Sequence, residues 1–117
     1  MTTATVEWIS TATRLPHDRA AVLGAITGRY PGAGFAMPGK EFWLVLPMHF
    51  RVIHLDEEAG IEIENSFVDP DDVVRQPLGG TTREQVTHWA EFPALPGTDV
   101  QEIIGDGVRE ALSAATD

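Results

Sequence analysis

Two apolar-rich runs, His49 to Leu55 and Ile61 to Val68, flank the polar stretch Asp56-Glu57-Glu58-Ala59-Gly60. That pattern dictates an antiparallel hairpin. Within the second run Ile61-Glu62-Ile63-Glu64 alternates apolar and acidic, which in a strand sends one set of side chains to a core and the other to water. An isolated hairpin is marginal in water, so the rest of the chain must add strands to it. Val6 to Ser10 reads as a short first strand, broken by Arg14-Leu15-Pro16-His17-Asp18. Val22 to Thr27 suits a second strand, and a helix from Asp18 to Ile26 with Asp18 as N-cap is the competing reading. Glu41 to Leu46 is a strand ended by Pro47, and Gln85 to Glu91 is the last strand. Gly28 to Lys40 and Pro77 to Gly80 are loops, as their glycines and prolines demand.

Beyond the exit Phe92 to Gly97, Asp99 and Glu102 have the spacing of a capping box. Val100, Ile103, Ile104, Val108, Ala111 and Leu112 fall on one helical stripe, so a helix from Asp99 to Ala115 is expected. Gly105 and Gly107 weaken it by ~1 kcal/mol each, so it needs support from the sheet or from a partner. The expected fold is α+β: a small antiparallel β-sheet or partly open barrel with a C-terminal amphipathic helix. Residues 1–97 form the β-rich domain, and 98–117 form the helix, docked on it or on a partner.

The charge is as uneven as the hydropathy is regular. Between Arg51 and Arg75 stand Asp56, Glu57, Glu58, Glu62, Glu64, Asp69, Asp71 and Asp72, with no lysine or arginine among them. These eight supply most of the chain's net charge of −10. Placed charge selects partners by sign. Duplex DNA and anionic membranes both call for basic surface, so neither is an expected direct ligand. Cysteine is absent, which removes disulfides, thiolate metal sites and thiol nucleophiles and fits a reducing cytoplasm. Met1 to Glu7 lacks a basic segment followed by an apolar run, so no signal peptide is expected.

Catalytic patterns fare poorly. Gly34-Phe35-Ala36-Met37-Pro38-Gly39-Lys40 has the spacing of a phosphate-binding loop, but Glu41 replaces the magnesium-binding hydroxyl and a strand follows where a helix should start. Among His17, His49, His54 and His88, only His54 finds a candidate co-ligand, Glu62 across the hairpin. His88 reads as a half-buried sheet residue. Ser10, Ser66 and Ser113 lack the surroundings of an activated nucleophile. Trp8, Trp43 and Trp89 read most simply as core aromatics. No catalytic residue, metal site or cofactor is expected.

Trp8-Ile9-Ser10, Arg14-Leu15-Pro16 and Val22-Leu23 open the chain, and Val86-Thr87-His88-Trp89 followed by Pro93 and Pro96 comes near its end. In these motifs the chain resembles the domain-of-unknown-function 551 family of short bacterial and phage proteins. Glu91 stands where that family usually has proline, and Gly28 to Gly80 carries no counterpart. The resemblance implies a compact β-rich domain of phage or prophage origin, with Trp8 and Trp89 in the core and Pro16 and Pro93 ending strands. It implies no catalytic residue.

The expected function is that of a non-enzymatic acidic binding protein. Its eight carboxylates would engage a basic protein surface, as an inhibitor of a nucleic-acid-handling or defence complex that mimics nucleic acid would. The alternative is a small ligand-binding or enzymatic domain with a pocket near the Gly28–Lys40 loop and His88. A homodimer through the C-terminal helix is a third expectation.

Overall fold

The computed structural model describes residues 2–30 and 39–116. The chain divides into two compact units, Trp8–Glu91 and the combination of Met1–Glu7 with Phe92–Asp117.

The first unit is a six-stranded sheet: β1 (Ile9–Ser10), β2 (Ala21–Arg29), β3 (Glu41–Asp56), β4 (Ile61–Val68), β5 (Val74–Pro77) and β6 (Gln85–Glu91). The spatial order is β1-β6-β2-β3-β4-β5, antiparallel except where β5 meets β6. That parallel contact covers only Gln76↔Gln85 and Pro77↔Val86, so the sheet curls round to a partial closure and stops short of a full barrel. Its concave side holds the core: Val22, Ile26, Met48, Phe50, Phe67, Val86 and Trp89. Phe50 and Phe67 are cross-strand partners whose rings meet edge to face, with centroids 5.0 Å apart. The strand reading of Val22 to Thr27 holds, and burial shows why. Val22, Gly24 and Ile26 alternate inward with the period of a strand, and Ala25 is covered on the other face.

Pro47 does not end a strand: β3 runs through it for 16 residues. The reason is directional. Phe50 donates its N–H to Ala20 O, so even-numbered N–H groups of β3 point at β2 and odd-numbered ones point away. At Pro47 the missing donor falls on the side where β4 has not yet begun, since the β3–β4 ladder starts at His49↔Val68.

Beyond His49 the situation reverses. The β2–β3 ladder ends at Ala21↔His49, and β4 pairs with β5 only at Phe67 and Val68. Past Val52, the hairpin from Ile53 to Glu64 has no ladder partner among the described residues other than its own two strands, and it stands out as an arm. At its base Val52 N–H donates to Asp18 Oδ1 at 2.9 Å, and Arg51 Nε lies 3.8 Å from the same oxygen.

Among the described residues the second unit contains one helix, α1 (Gly107–Ala115), shorter than the span expected from Asp99. Residues 95–100 close a hydrogen-bonded turn instead, and 101–106 run on as irregular backbone. Thr98 Oγ1 donates within the backbone at Leu95 O, Val100 N–H donates back to it, and Leu95 N–H donates to Val100 O. Such local bonds compete with helical ones, and Gly105, at φ 90°, keeps the chain out of the helix until Gly107. Among the described residues no helix is long and apolar enough to cross a membrane.

Candidate functional site

The acidic block does not form one patch. The arm tip carries Asp56, Glu57, Glu58, Glu62 and Glu64. Asp71 and Asp72 occupy the turn at the far end of β4, eight residues or about 25 Å of strand away. Asp69 is buried and belongs to the fold. Its Oδ2 accepts from Arg75 Nη1 at 2.8 Å, and its Oδ1 accepts from the N–H groups of Asp71 and Val73, both at 2.9 Å. Arg75 Nε also donates to Glu84 Oε1 at 2.8 Å. Burial alone would raise the Asp69 pKa, but the Arg75 hydrogen bond, the two backbone donors and the Arg75 charge outweigh it and hold the carboxyl below its usual value. Asp69 is thus removed from the partner-facing set by its own neutralising arginine.

The other seven carboxylates stand in no ion pair among the described residues. Asp56 shapes the tip: its Oδ1 accepts from Glu58 N–H and Ala59 N–H, while its carbonyl accepts from Gly60 N–H at 2.7 Å. Gly60 sits at φ 67°, where a side chain would be strained. Asp56 pairs with Ile61, so the turn is Glu57–Gly60, one residue tighter than the sequence spacing suggests. That places Ile63 opposite His54, and Glu62 opposite Leu55. The expected His54–Glu62 facing pair is lost to this one-residue difference in register. Among the described residues no group of three or more histidines and carboxylates could hold a metal ion.

The arm also lacks the buried face that its alternation promised, because no core lies beneath it. Ile53, Leu55 and Ile61 are each about half exposed, at 48%, 56% and 53%. Ile53 opposes Glu64 and Leu55 opposes Glu62, so apolar and acidic side chains share a face.

A second feature lies on the outer face of the sheet. Ser10↔His88, His88↔Ala25 and Ala25↔Val45 form a row across β1, β6, β2 and β3. Ala25 is the short member, and its size leaves a depression of about 290 Å³ flanked by Trp8, Trp43, Leu44, Val45 and His88. Trp8 and Trp43 are 40% and 68% exposed, not core residues as expected; only Trp89 is buried. Trp43 takes an odd-numbered position on β3, and the odd side of this segment faces away from the core formed by Met48 and Phe50.

A bulge builds the depression's polar corner. The β2–β6 register jumps from Ala25↔His88 to Ile26↔Val86, leaving Thr87 as the extra residue. Its Oγ1 donates to Ala25 O at 3.2 Å and accepts from Trp43 Nε1 at 2.9 Å. His88 Nδ1 lies 2.9 Å from the same oxygen. His88 lines this depression, while the Gly34–Lys40 motif and the Gly28–Lys40 loop of the expected pocket fall largely on residues 31–38, outside the described residues.

No protein-family model matches the chain, and comparison with curated proteins and with solved structures returns no match either.

Proposed function

We propose that the chain is a non-enzymatic binding protein whose β3–β4 arm engages a basic surface on another protein. The observation behind this reading is the arm itself. Asp56, Glu57, Glu58, Glu62 and Glu64 have no cationic partner among the described residues, and Ile53, Leu55 and Ile61 are exposed beside them. Apolar contact supplies affinity at an interface, while surrounding charge supplies orientation and association rate. A stretch that exposes both, and has no ladder partner among the described residues beyond its own two strands, is suited to insertion into a groove. A nucleic-acid-binding protein is the partner class whose groove is both basic and open, and occupying it would inhibit that protein.

The test compares three immobilised baits in host lysate under a salt gradient: the unaltered chain, an arm variant with Glu57, Glu58, Glu62 and Glu64 changed to lysine, and a turn variant with Asp71 and Asp72 changed to lysine. A basic protein held by the first and third baits, absent from the second and released by salt, supports the reading. Identical capture by all three ends it.

A further inference from the structure

We propose that the Trp8–Trp43–His88 depression binds a flat, uncharged ring compound bearing a ring N–H, stacked against the two indoles and donating to His88 Nε2. The argument starts from the single hydroxyl of Thr87, which has one proton and two lone pairs. The proton is used on Ala25 O, and one lone pair accepts Trp43 Nε1–H. The remaining lone pair can only accept, so His88 Nδ1 carries the hydrogen at this contact. In the neutral imidazole Nε2 is then the acceptor, and it has no hydrogen-bond partner among the described residues. The polar group left to a ligand is one that receives a proton, which calls for a donor.

Shape and charge narrow the class. The depression is about 290 Å³, at the small end for ligand sites and suited to one or two fused rings. Among the described residues no aspartate, glutamate, lysine or arginine lines it, so an ion would be poorly held there. Trp43 is tied through Nε1 to Thr87, and its ring meets His88 at a 52° tilt with centroids 6.0 Å apart. A wall already fixed in place loses little freedom when a ring stacks on it. The floor is Ala25, whose register partners on either side are His88 and Val45.

Indole is the probe, titrated into the isotope-labelled full chain, with the three tryptophan side-chain N–H signals and the His88 ring signals followed by NMR. Saturable shifts of Trp8, Trp43 and His88, with Trp89 unmoved, are expected. 1-Methylindole, which lacks the donor, should bind about tenfold more weakly, because it leaves the acceptor unpaired. His88→Phe should bring the two affinities together. Trp43→Ala should abolish saturation. Equal affinity for indole and 1-methylindole in the unaltered chain, shifts centred on Trp89, or no saturation up to the solubility limit would each overturn the proposal.

Discussion

Trp43 Nε1 donates to Thr87 Oγ1 at 2.9 Å across the intervening strand β2, so an indole that is largely in water is nevertheless held in one orientation. The bulge at Thr87 creates this contact, since the extra residue turns its hydroxyl toward β3 rather than into a ladder position.

Thr87→Val keeps the shape and removes the hydroxyl. It should cost about 0.5–1.5 kcal/mol in urea unfolding, the usual net worth of a partly exposed hydrogen bond. The Trp43 Nε1–H should also exchange with water faster. Trp89 should be unaffected, because its Nε1 donates to Arg14 O at 2.8 Å. Unchanged exchange at Trp43 would show that Thr87 does not hold it.

Charge reversal on the arm should leave stability almost untouched. Glu62 and Glu64 are exposed and unpaired among the described residues, so Glu62→Lys with Glu64→Lys should shift unfolding by less than about 0.5 kcal/mol. Urea titration measures this directly. A loss much larger than that would mean the pair supports the fold rather than a partner.

Arg75 is the opposite case. Arg75→Met leaves the Asp69 carboxylate buried without its counter-charge, at an expected cost of about 3–5 kcal/mol. That is a large part of the stability of a domain this size, so partial unfolding at ordinary temperature is the expected result, visible by circular dichroism.

The same aspartate makes the protein acid-sensitive. Its carboxyl titrates lower in the folded chain than in the unfolded one. The stabilisation is therefore fully present above the unfolded value, about pH 4, and is lost as pH falls through the folded value. Urea midpoints measured from pH 7 downward should drop through that window. In Asp69→Asn they should start lower and drop less.

Gly24 tests the core. A Cβ there would meet Met48 Sδ at 2.5 Å and Met48 Cγ at 3.3 Å. Gly24→Ala should cost about 1–3 kcal/mol, moderated by the flexibility of methionine. In a Met48→Ala background the same change should cost clearly less. Purely additive effects in that double-mutant cycle would show that the two sites do not touch.

Local pattern reached the elements more reliably than their surroundings. Gln85–Glu91 is a strand with the expected bounds because β-branched and aromatic residues lie between clear turn signals. Trp43 was expected in the core because a strand sends its side chains alternately to two faces, and local pattern cannot say which face the rest of the chain will cover. The same limit applied to Ile61, which stands at the exposed end of β4 while Phe67 and Val68 at the other end are buried. Pro47 misled for a related reason: its missing donor matters only if a strand lies on that side. Asp69 looked like seven other acids because its distinguishing partner, Arg75, follows across a turn and is fixed by the β4–β5 pairing at Phe67↔Arg75. The cleft depended on the Thr87 bulge, which no spacing in the sequence announces.

Pro47 also bears on how copies of the molecule behave toward one another. The outward edge of β3 near Trp43 and Val45 has the apolar character that lets chains stack strand upon strand into fibres. A gap in its row of donors denies an incoming strand continuous attachment, which blunts strand-on-strand stacking beside the exposed indole.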